Sequence, residues 1–106
     1  MNRHLQLALE ATSQSTAKHQ RMASVIVKGG RVLSIGVNLD FKHAEARAIR
    51  PHRDYEGATI YVMRHNGLCS RPCNDCQKKI IKAGIKRAVY ISWDNTIVTE
   101  TFKEAA

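Results

Sequence analysis

The stretch from Ala58 to Ser92 constrains the fold more than any other part of the chain. "ATIYVM" at 58–63 is β-branched and aromatic, as a buried strand requires. After the loop "RHNGLCSRP", residues 74–83, "NDCQKKIIKA", set Cys76, Ile80 and Ala83 on one side of a helix that Gly84 stops. "KRAVYIS" then predicts a second strand. Two strands joined through a helix run parallel in one sheet, because the crossover returns the chain to the same end. Ligands of such sheets collect at the carboxyl ends of the parallel strands, where helix N-termini point. The rest of the chain has to complete this sheet and cover its faces.

Upstream, "RHLQLALEATSQSTAKH" places Leu5, Ala8, Leu9 and Thr12 at helical spacing, predicting an amphipathic helix to about Ala17. "MASVIVKGGRVLSIGVN" reads as a β-hairpin over a Gly29-Gly30 turn, with Leu33, Ile35 and Val37 of the return strand pointing inward. A short helix carrying His43 and Glu45 ends by Arg50, since Pro51 cannot extend it. A last short strand is expected over 97–102. The order α, β, β, α, β, α, β in 106 residues predicts one three-layer α/β domain spanning 1–106. Its mixed sheet should carry an antiparallel hairpin at one edge, parallel strands with crossover helices at the other, and helices on its faces.

Lys and Arg number 17 against 9 Asp and Glu, a net charge of +8 that favours anionic ligands. Residues 1–22 contain no unbroken apolar run, so neither a signal peptide nor a membrane span is expected, and the location should be cytoplasmic. Three cysteines, two of them spaced CxxC, are too few for a disulfide framework and leave metal binding or a redox dithiol.

"SRPCNDC" puts Cys73 and Cys76 on the first turn of a helix, where the N-terminal dipole favours thiolates and Pro72 suits the start. His43 separates the two uses. Cys, Cys and His give zinc three protein ligands and keep the fourth tetrahedral position for water, whereas a structural site would be closed, and no second CxxC or HxxxH pair is present to close it. Glu45, two residues past the histidine, can then take a proton from metal-activated water and return it to a leaving group.

"HAE" at 43–45 followed by "PCNDC" at 72–76 resembles the zinc-dependent cytidine and deoxycytidylate deaminase superfamily, over about residues 5–92. The resemblance implies replacement of an exocyclic amine by a carbonyl oxygen, with release of ammonia. It makes His43, Cys73 and Cys76 the Zn2+ ligands and Glu45 the acid and base. The backbone N–H of Ala44 would meet the substrate carbonyl, and a backbone carbonyl at Ser70 or Arg71 would accept from the leaving amine. Asn38, at the end of the hairpin strand, matches a sugar- or base-contacting asparagine of relatives, and is equally a turn-forming residue. Trp93 follows a strand where relatives often carry an aromatic near the base, with packing as the alternative. Cys69 reads as a small buried thiol. His4, His19, His52 and His65 read as surface or core histidines, while Arg71, Lys42, Lys78 and Lys79 lie near the expected mouth, where they could meet a phosphate, with a solvated helix face as the alternative for Lys78 and Lys79.

The substrate expected from the resemblance is a free cytosine nucleotide, dCMP giving dUMP. Single-stranded DNA or tRNA is the alternative: +8 favours it, and an aromatic content of 6% leaves few stacking platforms. A non-catalytic zinc module binding nucleic acid remains a third reading, and a thioredoxin-like dithiol a fourth. Family members commonly continue past the strand at 87–91 with a further helix and strand. Here the chain stops at Ala106, so a homo-oligomer is expected.

Overall fold

The computed structural model describes residues 2–15, 21–38, 43–50 and 53–102. Five strands form one sheet in the order β2-β1-β3-β4-β5, with β1 Met22–Lys28, β2 Arg31–Val37, β3 Thr59–Arg64, β4 Arg87–Ile91 and β5 Ile97–Thr101. β1 pairs antiparallel with both β2 and β3, and β3 runs parallel to β4. The hairpin edge and the parallel pair are as expected, but the far edge is different. β5 returns antiparallel to β4 through residues 92–96, where Asn95 takes φ 66°. That link is too short for a crossover, so a second hairpin closes the sheet.

Helix α1, Arg3–Ala11, starts on Asn2, whose Oδ1 accepts from His4 N at 2.8 Å. It ends before the predicted Ala17, passing into a 3-10 turn at Thr12–Gln14. The Thr12 and Ser13 hydroxyls donate back to the carbonyls of Leu9 and Glu10, at 2.6 and 3.1 Å, a local competition that weakens helices at such residues. Residues 16–20 lie outside the described residues.

The faces of the sheet are covered differently. Leu5 and Ala8 of α1 pack with Val25, Val27, Met63, Val89 and Ile91. On the other face Ala48 of α2, Ala44–Ala48, and Ile80 of α3, Asn74–Lys82, pack with Ile26, Ile60, Val62, Ala88 and Tyr90. Three layers result. Gly84, at φ 85°, ends α3 as predicted, and Cys76 and Ile80 are its buried residues.

The inward face of β2 is the predicted one only at Leu33, which packs against the core around Ile26 and Ala48. Ser34 and Gly36 are buried, while Ile35 is exposed and Leu33 and Val37 are half-buried. Ile26 pairs with Ser34 and Val27 with Val32, so Leu33 is the extra residue of a β-bulge that breaks the alternation. Small residues occupy the covered face because α2 approaches too closely for large ones. A Cβ on Gly36 would stand 2.5 Å from Ala44 O and 2.7 Å from Ala48 Cα, and closer still to Ala48 N.

Candidate active site

A helix of five residues has no stability of its own and must be fastened by tertiary contacts. Ser34 Oγ donates to Ala48 O at 2.7 Å. Tyr55, buried in the core, donates its hydroxyl to Ala48 O at 3.2 Å and accepts from Arg50 N at 2.9 Å. With Gly36 beneath it, α2 is fixed at both ends.

His43 and Cys73 hold the N-cap positions of α2 and α3, in extended backbone at φ −70°, ψ 152° and φ −68°, ψ 167°. Neither makes a side-chain cap bond, although this position usually carries Ser, Thr, Asp or Asn for that purpose. The imidazole and sulfur turn instead toward each other. His43 Nδ1 lies 3.6 Å from Cys73 Sγ and 3.3 Å from Cys76 Sγ, and the three ligand atoms are within 4.8 Å of one another. Zinc at about 2.3 Å from sulfur and about 2.05 Å from nitrogen, at tetrahedral angles, sets N and S about 3.6 Å apart. The triangle therefore fits zinc. Among the described residues no other three His, Cys, Asp or Glu side chains come together in this way.

Glu45 is 2% exposed and sits on the second residue of α2, with Oε1 3.4 Å from Ser24 Oγ. Burial first, and the Glu45 carboxylate next, push the Cys76 thiol well above the usual range. A carboxylate and a would-be thiolate in one buried spot oppose each other until a divalent cation reverses the local balance. That opposition is a second reason the donor set suits a metal. His43 and Cys73 are exposed and Cys76 is buried, so the triangle has one side facing solvent.

The remaining predicted residues divide by role. Ala44 is buried between His43 and Glu45. Ser70 is a staple: its Oγ donates to Val62 O at 2.7 Å and accepts from Ile91 N at 3.0 Å, tying the ends of β3 and β4 to the loop that leads into Cys73. Asn38 closes the hairpin, its Oδ1 accepting from Met22 N at 2.8 Å and from Ser15 Oγ at 2.6 Å, in keeping with the strand-end role. Arg71 lies 3.6 Å from Glu100 Oε1, and hydrogen bonding to Tyr90, ahead of the Glu100 charge, raises its pKa further. Trp93 is 85% exposed on the β4–β5 turn. Cys69 is half-buried, less than expected, and outside the triangle. His4 packs on Tyr61 and His65 faces Arg21 O, while Lys78 and Lys79 are exposed on α3. Lys42, His19 and His52 lie outside the described residues. Ser24 was missed, although a serine inside "MASVIV" is the visible anomaly of that apolar strand.

Solved structures share this architecture. A cytidine deaminase from Burkholderia pseudomallei superposes with a TM-score of 0.72 at 19% identity, over 95% of this chain and 93% of that one. The apo dCMP deaminase from the cyanophage S-TIM5 gives 0.68 at 24% identity, over 80% and 76%. A diaminohydroxyphosphoribosylaminopyrimidine deaminase/5-amino-6-(5-phosphoribosylamino)uracil reductase from Thermotoga maritima gives 0.63 at 26%, over 80% of this chain and 27% of the longer protein. No curated protein matches the chain in sequence. With a zinc-fitting triangle on this sheet, the class is that of the zinc-dependent deaminases. The sequence profile described as the cytidine and deoxycytidylate deaminase zinc-binding region matches residues 1–92, and the chain belongs to that family.

Proposed function

We propose that this chain hydrolyses the exocyclic C–N bond of a free cytosine nucleotide, dCMP above all, giving dUMP and ammonia. The observation that carries the reading is the buried Glu45 set against Cys76 of the ligand triangle. Bound zinc would supply a water whose pKa falls to about 7. His43, Cys73 and Cys76 hold the metal. Glu45, shielded from bulk solvent and steadied by Ser24, takes the protons of water in turn: it passes the first to ring N3 as the C–O bond forms at the amine-bearing carbon, and the second to the amine as the C–N bond breaks and the carbonyl forms. The first-turn N–H of Ala44 orients the base carbonyl, since N–H groups at a helix start have no partner within the helix. A backbone carbonyl at Ser70 or Arg71 receives the leaving amine.

A cyanophage S-TIM5 dCMP deaminase structure in complex with dCMP and dUMP, with a TM-score of 0.67 at 22% identity, supports a nucleotide substrate, as does the net charge of +8. Cytidine is the second reading, favoured by the near-complete coverage of the Burkholderia cytidine deaminase. Self-association accompanies either reading, supported by exposed Ile81 and Ile97, and a monomer at every concentration in sedimentation would remove it.

Ammonia release from dCMP, CMP, deoxycytidine, cytidine and a short single-stranded DNA tests the proposal, with Glu45→Gln as control. Turnover fastest on dCMP and abolished by the substitution is expected. Silence on every substrate, or undiminished turnover in the variant, would refute it. A steep salt dependence of oligonucleotide turnover would move the substrate to a polymer.

A further inference from the structure

We infer that Arg64 grips the 5′-phosphate of the substrate and gives the site its preference for nucleoside monophosphates over nucleosides. The inference rests on the reading of the site as a cytosine deaminase. Arg64 ends β3 and pairs with Met22 of β1. Two residues earlier Val62 pairs with Ser24, whose hydroxyl reaches Glu45. Side chains return to the same face of a strand every second residue. Ile60 and Val62 lie in the core under α2 and α3, and Met63 in the core under α1. Arg64 therefore stands on the catalytic face, about 7 Å beyond Val62 toward the carboxyl end of β3.

The backbone there is fixed. Gly67 N donates to Arg64 O at 2.9 Å, and His65 N donates to Arg21 O at 2.8 Å. The side chain is half-buried, and its Nε is buried with no hydrogen-bond partner among the described residues. A buried N–H without an acceptor is costly and calls for an explanation. Arg71, another guanidinium at this end of the sheet, is already engaged by Glu100. A guanidinium presents a planar fork, and a phosphate monoester offers the oxygens to accept from Nε and Nη together. A base seated against Glu45 would leave its sugar and phosphate on the outward side, where Arg64 stands.

The test compares zinc-loaded wild type, Arg64→Met and Arg64→Lys on dCMP and deoxycytidine. It reads kcat/KM for both, and also binding of both by calorimetry in the Glu45→Gln background. Wild type should favour dCMP, and Arg64→Met should cut that preference roughly 10- to 100-fold, mainly through KM, with Arg64→Lys recovering part. Equal losses on both substrates, or a wild type indifferent to the phosphate, would overturn the assignment. Should wild type deaminate neither compound, the deaminase reading fails. Arg64 is then judged by the calorimetry: a dCMP preference that Arg64→Met removes supports its role, and any other binding result overturns it.

Discussion

Gly36→Ala probes the least forgiving contact in the molecule. The added Cβ would stand 2.5 Å from Ala44 O and 2.7 Å from Ala48 Cα, where ordinary contacts begin at 3.4 Å, and closer still to Ala48 N, so α2 must retreat by more than about 0.9 Å. Both obstacles are backbone, and no side-chain rotation relieves them. Overpacking of this kind costs about 1–3 kcal/mol, and the upper end applies here. At about 4–8 °C per kcal/mol for a domain of this size, the melting temperature should fall by roughly 12–24 °C. The functional loss should be larger than the loss of fold. His43 and Glu45 ride on α2, and zinc ligands tolerate displacements of only about 0.2 Å. A shift near 1 Å should cost about 100-fold in kcat/KM at temperatures where the variant is still folded. Calorimetry, zinc content and ammonia release on one preparation would show this. A variant that melts within a few degrees of the parent and keeps its metal and its rate would refute the close packing of α2 on β2.

Ser70→Ala removes the bond to Val62 O and leaves Ile91 N unpaired, so denaturant unfolding should show a loss of roughly 2–3 kcal/mol together with weaker zinc retention; a change below about 0.5 kcal/mol would deny the staple. Chelation should lower the melting temperature, and zinc at 100 times its Kd should restore about 2.7 kcal/mol where magnesium does not. Zinc uptake should also release protons, measurable in weakly buffered solution, because the Cys76 thiol is held protonated by burial and Glu45. The exposed Asp54 is lowered below 3.8 by the Glu56 N–H first and Lys28 next. Its contribution is thus present above pH 3.8 and lost as pH falls through its folded value. Asp54→Asn should flatten the stability profile below pH 4, and an unchanged profile would contradict the assignment.

The site was legible because its chemistry is local to two helix starts. His43 and Glu45 are two residues apart, Cys73 and Cys76 three, and any fold that makes those segments helical presents the groups on first turns. Helix spacing on α3 was equally plain, because Cys76 and Ile80 share a face whatever lies beneath. β2 failed past Leu33 for a physical reason: hydrophobicity marks a covered face only where there is room for side chains. At Gly36 the helix touches backbone, and at Leu33 the bulge reverses the alternation. The direction of β5 was set by the length of the 92–96 link rather than by side-chain pattern. Ser70, Asn38 and Ser24 do their work through long-range hydrogen bonds that no spacing rule encodes.

Zinc-edge X-ray absorption on the purified protein tests the metal centre most directly. Two sulfur neighbours at about 2.3 Å and two nitrogen or oxygen neighbours at about 2.0–2.1 Å are predicted, with one sulfur lost in Cys73→Ala. Three sulfurs, which would bring Cys69 to the metal, or none at all, would contradict a centre built from His43, Cys73 and Cys76 with a position kept for water.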